Sequence, residues 1–179
     1  MKKIVYYPYL FVLWITNRII NYIPISFFRK VWYRSLGAKI SRYVQIDMGQ
    51  YILAPSRLQI DTHTHVNEGC LIDARGGIHI GSNVSISHRC SLVTGSHNVL
   101  DSDFAGIFAP ITISNDVFIG ANATILQGIT VHRGAIVCAG AVVTKDVAEY
   151  NIVAGIPAQM ISLRDKKINY TVKPDTFFC

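Results

Sequence analysis

The sequence predicts an all-β fold in which short parallel strands wind into a β-helix, with helices at the N-terminus. Between Ile80 and Val147 an aliphatic residue recurs every six positions, one long interruption breaks this repeat, and a basic, aromatic segment precedes it. A period of six matches neither the 3.6 residues of an α-helical turn nor the alternation of a β-strand. It is typical of a β-helix, in which six-residue rungs of strand and turn form a prism.

Each rung begins with an aliphatic residue and usually has a small or β-branched residue at its fifth position. One rung cannot bury its own aliphatic side chain, whereas stacked coils place these side chains in one inner column. We therefore expect the rung starts to form the core. The clear starts are Ile80, Ile86, Ile113, Ile119, Ile125, Val131, Val137 and Val143, and weaker ones precede them at Ile40, Ile46, Ile60, Val66 and Ile72.

The chain of 179 residues suits a single folded domain, because half of its residues are hydrophobic and no low-complexity linker divides it. We expect a basic aromatic helical leader in residues 1–35 and a β-helix in residues 36–161, from which a loop protrudes at residues 94–112. Residues 162–179 are expected to form a C-terminal tail.

The leader carries most of the positive charge. No acidic residue precedes Asp47, while eight lysines and arginines do, and the whole chain has a net charge of +6. The apolar run from Ile4 to Ile15 is shorter than the roughly 20 residues that a membrane span requires. Two interpretations stay open: the helices pack on the end of the prism, or residues 1–34 also contact an anionic membrane surface.

The cysteines indicate a reducing compartment, and we expect a cytoplasmic protein, at the inner face of the membrane if the leader binds there. Cys70, Cys90, Cys138 and Cys179 form no C-x-x-C pair and no dense framework. Cys70 and Cys90 occupy fifth positions of rungs, which predicts small core residues and not reactive thiols.

The interruption of the repeat is the candidate site of chemistry. From Leu92 to the next start at Ile113 the step is 21 residues, and long loops in compact domains are usually functional. The loop opens with Thr94-Gly95-Ser96-His97-Asn98 and continues with Asp101 and Asp103.

The arrangement of these segments resembles the hexapeptide-repeat acyltransferase family. The nearest pattern is that of galactoside and maltose O-acetyltransferases and of colanic-acid-type exopolysaccharide acetyltransferases. The resemblance implies a left-handed β-helix, acetyl-CoA as donor, a sugar hydroxyl as acceptor, and a homotrimer with sites between neighbouring prisms. It rests on the Thr-Gly-x-His opening, the return through residues 109–113, the segments 141–147 and 153–158, and Leu36-Gly37-Ala38-Lys39-Ile40.

The resemblance implies that His97 is the general base. A sugar hydroxyl is a poor nucleophile at neutral pH, so a base must take its proton as the oxygen attacks the thioester. Neutral imidazole suits this role. The other ring nitrogen needs an acceptor, and a backbone carbonyl, Asp101 and Asp103 are all candidates.

The resemblance also implies binding residues for both substrates. Asn67 matches a residue that contacts the acceptor, and Asp73 is expected to do so because Arg75 stands where the galactoside branch has an acidic ligand. For the donor, Ala121 and Ala139 are expected along the pantetheine arm, and Thr144 with Lys145 near the nucleotide end. An ammonium group is a usual partner for the phosphates of CoA.

Other functions receive less support from the sequence. N-acetylation of an amino sugar, acylation of a xenobiotic and a noncatalytic scaffold all stay open, because His97 would serve a hydroxyl or an amine and a fold alone does not define a function. The histidines lack the spacing of a zinc site, so we expect no metal. No nucleic-acid-binding motif accompanies the basic residues.

Overall fold

The computed structural model describes residues 2–173, and side chains from residue 7 onward. Two helices, α1 (Lys2–Arg18) and α2 (Ser26–Ser35), precede the strands. The first three coils are β1 (Lys39–Ile40), β2 (Gln45–Ile46), β3 (Tyr51–Leu53), β4 (Leu58–Ile60), β5 (His65–Val66), β6 (Leu71–Asp73), β7 (Ile78–Ile80), β8 (Ser85–Ile86) and β9 (Ser91–Val93).

A hairpin of β10 (Gly95–His97) and β11 (Gly106–Phe108) interrupts the coils after β9. The later strands are β12 (Ile111–Ile113), β13 (Phe118–Ile119), β14 (Thr124–Ile125), β15 (Thr130–Val131), β16 (Ile136–Val137), β17 (Val142–Val143), β18 (Asn151–Ala154) and β19 (Gln159–Leu163).

The strands form the three faces of a parallel β-helix. The first face is β1-β4-β7-β12-β15, the second is β2-β5-β8-β13-β16-β18, and the third is β3-β6-β9-β14-β17. Every pair within these orders is parallel and in register, as in Leu58 opposite Ile78 and Ile78 opposite Ile111. The predicted β-helix with N-terminal helices is therefore confirmed.

The rung starts form the inner column, as their period predicts. All of the predicted starts are buried, from Ile40 through Val143, and so are Ile52 and Leu92. The fifth-position residues Cys70 and Cys90 are buried with them. The eight-residue steps from Ile52 to Ile60 and from Ile72 to Ile80 each contain a short 3₁₀ turn, at Pro55–Arg57 and Ala74–Gly76.

The turns between strands need a residue in the left-handed conformation. This residue is the fourth of its rung, where φ is positive at Asn83, Asp116 and Asn122 and at Gly69 and Gly140. Glycine, Asn and Asp adopt this conformation at the least cost, which explains their recurrence in the repeat.

The two helices close the N-terminal end of the prism through buried polar contacts. Arg29 and Tyr33 of α2 are fully buried, and Arg29 donates to the carbonyl oxygen of Ile46 at 2.7 Å. The Asn17 side chain bonds both the N–H and the C=O of Ile52. Over residues 2–173 no helix combines the length and the apolar character needed to cross a membrane.

The C-terminal segment folds back on the prism. Strand β19 pairs antiparallel with β18, so the domain boundary predicted at residue 161 falls inside a strand. Beyond it, Arg164 donates to the carbonyl oxygens of Asp116 and Gly134 at 2.8 and 3.1 Å. Val172 donates to the Asn83 side chain at 2.7 Å, which ties the segment to an earlier coil.

Candidate active site

The hairpin lies where the third face of the prism turns into the first. We call this edge the hairpin corner; it comprises residues 54–57, 74–77, 94–110, 126–129 and 144–146. The edge between the second and third faces, comprising residues 67–70, 87–90, 120–123 and 138–141, is the alanine corner. These two corners contain the residues that the sequence predicted for the site, except Asp73, which ends strand β6 directly before the hairpin corner.

His97 ends strand β10 and is exposed on the hairpin. Its Nδ1 atom lies 2.7 Å from the carbonyl oxygen of Phe104, and the two rings stack with centroids 4.3 Å apart. A carbonyl oxygen can only accept a hydrogen bond, so this contact places the proton of neutral His97 on Nδ1. The Nε2 atom then carries the lone pair and is the basic nitrogen.

The two carboxylates near His97 in sequence serve the hairpin loop. The Asp101 side chain accepts a hydrogen bond from the N–H of Asp103 at 3.0 Å, and its backbone oxygen accepts from Phe104 at 2.9 Å. These contacts shape the turn that places the Phe104 carbonyl beside His97. Of the three acceptors left open by the sequence, the structure selects a backbone carbonyl.

Thr94 fixes the base of the hairpin to the preceding coil. Its side chain is buried, and the hydroxyl donates to the Asp73 carbonyl at 2.6 Å while accepting from the N–H of Gly76 at 2.7 Å. Gly76 has no room for a side chain, because a Cβ atom there would lie 2.9 Å from both the Ala109 oxygen and the Thr94 Cβ. The Thr of the Thr-Gly-x-His motif is thus a buried connection between coils.

Asp73 and Arg75 form an ion pair beneath the hairpin. The Arg75 Nε and Nη2 atoms lie 2.8 and 2.9 Å from the two carboxylate oxygens of Asp73. The side chain of Asp73 is 3% exposed and that of Arg75 is 48% exposed. Burial alone would raise the pKa of Asp73, but the hydrogen bonds from Arg75 outweigh it and hold that pKa below its usual value.

Arg75 also packs on the hairpin itself. Its guanidinium carbon lies 5.0 Å from the centre of the Phe108 ring. Gly95 lies against both side chains: a Cβ atom there would be 2.8 Å from the Phe108 ring and 3.0 Å from Arg75 Nη2, so a larger residue would displace one of them. The pair therefore presents Arg75 to the surface, while Asp73, predicted to contact the acceptor directly, is buried behind it.

Asn67 lies at the alanine corner, away from the hairpin of its own chain. Its side-chain amide donates to the Ile86 carbonyl of the next coil at 2.8 Å. The left-handed residue of this turn is Gly69 and not Asn67. The same corner contains a cavity of about 370 Å³ lined by Glu68, Gly69, His88 and Arg89.

The predicted donor residues divide between the two corners. Ala121 and Ala139 lie one coil apart at the alanine corner, where the N–H of Gly140 donates to the Ala121 carbonyl at 2.8 Å. Thr144 and Lys145 are exposed at the hairpin corner, on the C-terminal side of the hairpin. One chain thus places His97, Asp73, Thr144 and Lys145 at one edge of the prism and Asn67, Ala121 and Ala139 at another.

Two other histidines make contacts with carboxylates. His65 Nε2 lies 2.7 Å from Asp47, and His79 Nε2 lies 2.9 Å from Asp61. Within the part of the chain that the structure describes, no three His, Cys, Asp or Glu side chains converge to hold a metal ion.

Several residues of the site escaped sequence reasoning. Phe104 and Phe108 are aromatic residues in an exposed loop, which is a signal that could have directed attention to them. Arg57, which donates to the Arg75 carbonyl at 2.7 Å, gives no such signal, because only coil stacking brings it to this corner.

Comparison with known proteins agrees with the repeat and the fold. Residues 110–145 match the family model of the hexapeptide repeat of succinyl-transferase. Over 59 residues, 33% of the chain, the sequence is 51% identical to a 2,3,4,5-tetrahydropyridine-2,6-dicarboxylate N-acetyltransferase from Enterococcus faecalis. The matched part is only 25% of that protein, so the chain spans about a quarter of the length of this curated relative.

Solved structures match over most of the chain. A hexapeptide-repeat-containing acetyltransferase from Vibrio cholerae, in complex with acetyl-coenzyme A, superposes with a TM-score of 0.82 at 25% identity over 89% of each chain. A galactoside acetyltransferase in complex with coenzyme A superposes with a TM-score of 0.77 at 22% identity, over 93% of this chain and 87% of that one. The second similarity shows the fold.

The six-residue rungs, the three parallel faces and the histidine-bearing hairpin define the class of hexapeptide-repeat β-helix proteins. Within that class, residues 110–145 match the hexapeptide repeat of succinyl-transferase, and most of the chain has the fold of a hexapeptide-repeat-containing acetyltransferase.

Proposed function

We propose that the protein is an acetyl-CoA-dependent O-acetyltransferase that modifies a sugar hydroxyl during surface polysaccharide synthesis in the cytoplasm. The observation that carries this proposal is the hydrogen bond from His97 Nδ1 to the Phe104 carbonyl. It leaves Nε2 as a base on an exposed hairpin, as general base catalysis requires.

In the proposed reaction, Nε2 of His97 takes the proton of the acceptor hydroxyl. The oxygen attacks the thioester carbonyl carbon of acetyl-CoA and forms a tetrahedral intermediate. The carbon–sulfur bond then breaks, the acetyl group remains on the sugar oxygen, and the CoA thiolate takes the proton from His97. No further reactant is needed.

The donor is proposed to approach from the C-terminal side of the hairpin. Lys145 is exposed there and supplies a positive charge for the CoA phosphates, with Thr144 beside it. Ala121 and Ala139 have the smallest side chains that keep a Cβ atom, so a pantetheine arm can lie close to the backbone at their corner.

The division of the site between two corners supports a homotrimer. The hairpin of one chain would meet the alanine corner of the next, which joins His97 and Lys145 to Asn67, Ala121 and Ala139 of the neighbour. The hairpin tip is suited to such burial, because Val99 and Leu100 are 78% and 94% exposed. An interface at the hairpin tip would remove these two apolar side chains from water.

The acceptor is proposed to lie on the N-terminal side of His97, where Arg75 is displayed. Asp73 acts there by orienting Arg75 through two hydrogen bonds, and Asn67 of a neighbour contacts the acceptor from across the interface. Asp73 balances the charge of Arg75, so the exposed Arg57 beside it leaves one net positive charge, which favours an acidic or phosphorylated sugar over a neutral galactoside.

Contact of residues 1–34 with a membrane surface is part of the proposal. On α1, Phe11 and Trp14 are exposed and their rings stack at 6.3 Å, and on α2 Phe27 and Phe28 are exposed. Arg18 is exposed beside them. Aromatic and basic side chains together suit an anionic lipid surface.

N-acetylation is the second candidate, because the curated relative from Enterococcus faecalis is an N-acetyltransferase. One screen tests both candidates: acetyl-CoA is mixed with hydroxyl and amine acceptors, including free, phosphorylated and amino sugars, and released CoA is measured with a thiol reagent. CoA release with phosphorylated or neutral sugars supports O-acetylation. Release with amino sugars alone would favour the second candidate, and no release with any acceptor would favour a scaffold.

A further inference from the structure

The hairpin corner continues for two coils on the N-terminal side of His97 and ends at helix α1. Its turns there are Pro55–Arg57 and Ala74–Gly76. Successive coils of a parallel β-helix lie about 4.8 Å apart, so the first turn is about 10 Å from the base of the hairpin. Helix α1, the two turns and the hairpin therefore follow one another along a single edge.

An apolar groove lies at the start of this edge, between α1 and the turn that follows β3. It has a volume of about 250 Å³, smaller than small-ligand pockets of about 300–1,000 Å³, so it fits one segment of a larger molecule. The buried bonds of Asn17 to Ile52 hold α1 in place and make the groove a fixed feature. Its lining is Tyr9, Val12, Leu13, Leu36, Ala54, Pro55 and Ser56.

Two arginines separate this groove from the hairpin. Arg57 is exposed, and its guanidinium donates to the Arg75 carbonyl at 2.7 Å. Arg75 is itself fixed by Asp73 and by the Phe108 ring. Asp73 balances only one of the two positive charges, so the edge keeps a net positive charge between an apolar groove and a base.

The order of these features matches the order of groups in a sugar carried on a lipid phosphate. We propose that the acceptor is such a molecule: its hydrocarbon chain occupies the apolar groove beside α1, Arg57 and Arg75 bind its phosphate, and its sugar lies at His97. This inference rests on the proposed acetyltransferase function and names its acceptor class. Guanidinium groups bind phosphate oxygens with two parallel hydrogen bonds, which suits them to this position.

The test uses the full chain and three probes: farnesyl phosphate, farnesol and inorganic phosphate, each below the concentration at which it aggregates. Binding is measured by titration calorimetry without acetyl-CoA. Farnesyl phosphate is expected to bind at least tenfold more tightly than either other probe. Equal affinity for farnesol, or for inorganic phosphate, would overturn the proposal, because it would reduce the site to an apolar groove or to an anion site alone.

Substitutions assign the binding to this edge. Arg57→Gln is expected to weaken farnesyl phosphate about tenfold and leave farnesol unchanged, whereas Tyr9→Ala is expected to weaken both prenyl probes. Arg42→Gln, an exposed arginine at another corner of the first coil, is the matched control and should bind all probes as the parent does. Unchanged farnesyl phosphate binding by Arg57→Gln and Tyr9→Ala would overturn the proposal.

The design separates this inference from the proposed function. Binding needs no acetyl transfer, so a protein that binds farnesyl phosphate but fails the acceptor screen would lose the proposed function and keep the site. If the protein acetylated soluble sugars but did not bind farnesyl phosphate, the proposed function would stand and the lipid-phosphate acceptor would be refuted.

Discussion

The Nδ1 atom of His97 is 2.7 Å from the carbonyl oxygen of Phe104, and the ring of Phe104 stacks on the imidazole. A backbone carbonyl cannot titrate, so it fixes the same tautomer at every pH at which His97 is neutral. An aspartate in its place would add a charge that stabilises the protonated imidazole. The hairpin thus orients the His97 imidazole through a backbone carbonyl.

Replacing His97 by alanine is expected to lower turnover by about 10² to 10⁴, the usual contribution of a general base, with little change in CoA affinity. Steady-state rates with thiol detection and calorimetric CoA binding measure the two effects. His132→Ala, at an exposed histidine on another edge, is the control and should keep the parent rate. Equal turnover in His97→Ala and the parent would remove His97 from the mechanism.

The ion pair of Asp73 and Arg75 makes part of the stability depend on pH. The pKa of Asp73 is lower in the folded protein than in the unfolded chain, where it is about 3.9. Its ionised form therefore stabilises the fold fully above that value, and the contribution is lost as the pH falls through the lower folded pKa.

Asp73→Asn is expected to lower the free energy of unfolding at pH 7 by about 1.5 to 3 kcal/mol, the range for hydrogen bonds to charged groups. The difference from the parent should narrow as the pH falls below about 4. Urea unfolding at several pH values measures it, with Asp103→Asn, an exposed carboxylate, as the control. A difference that stays constant down to pH 2 would show that the charge of Asp73 does not stabilise the fold.

The six-residue spacing predicted the fold because each rung contributes one aliphatic residue to the core, in sequence order. An aliphatic residue every six positions specifies which side chains face inward, and the burial of Ile80 and Ile113 on successive coils follows from stacking alone. The corner contacts do not repeat. Thr94 bonds to Asp73 from 21 positions away, and Arg57 bonds to Arg75 from 18 positions away.

The candidate site was therefore predicted in part. His97 could be chosen from its motif at the break in the repeat. Its contact with Phe104 could not, because it depends on a hairpin turn in which Phe104 itself has the left-handed conformation, with a φ of +48°. An aromatic residue is an uncommon choice at positive φ, so no sequence rule points to it. Asp73 was predicted to contact the acceptor because of its charge, but its side chain is buried and pairs with Arg75 instead.

The close stacking of coils at the alanine corner predicts different effects for two glycines. A Cβ atom on Gly120 would lie 2.5 Å from the backbone nitrogen of Ala139 in the next coil. Gly140 has open space around it but a φ of +71°. Gly140→Ala should therefore cost about 1–2 kcal/mol from its backbone conformation alone.

Gly120→Ala is expected to cost more, about 3 kcal/mol, because the clash is with backbone and only movement of a whole coil relieves it. Thermal unfolding of the two variants under the same conditions shows which of them is less stable. If Gly120→Ala proved the more stable variant, the tight stacking of these two coils would be refuted.

The exposed tip of the hairpin predicts the assembly. We expect a trimer of three 19.9 kDa chains in solution, in which Leu100 is buried against a neighbour. Leu100→Asp should shift the trimer towards monomers and lower activity in parallel. Light scattering combined with size exclusion measures the mass, and Tyr43→Asp, at an exposed side chain on the opposite edge, is the control. A parent monomer with full specific activity would exclude a shared site.

The exposed aromatic residues of α1 predict membrane binding that depends on salt. The parent should bind vesicles containing an anionic phospholipid, and salt should weaken this binding because exposed charges are screened beyond about 10 Å at 0.1 M. Deleting residues 1–34 would also remove the buried side chains of Arg29 and Tyr33, so substitutions give a cleaner test.

Replacing both Phe11 and Trp14 by serine removes two side chains that are 62% and 54% exposed, so the fold should be preserved while vesicle binding falls about tenfold or more. Ile161→Ser, an exposed apolar residue on β19, is the matched control and should bind as the parent does. Co-sedimentation with vesicles measures binding, and acetyl transfer to a soluble acceptor reports that each variant is folded. If the double variant bound vesicles as well as the parent, α1 would not be the membrane contact, and the two N-terminal helices would serve only to close the end of the prism.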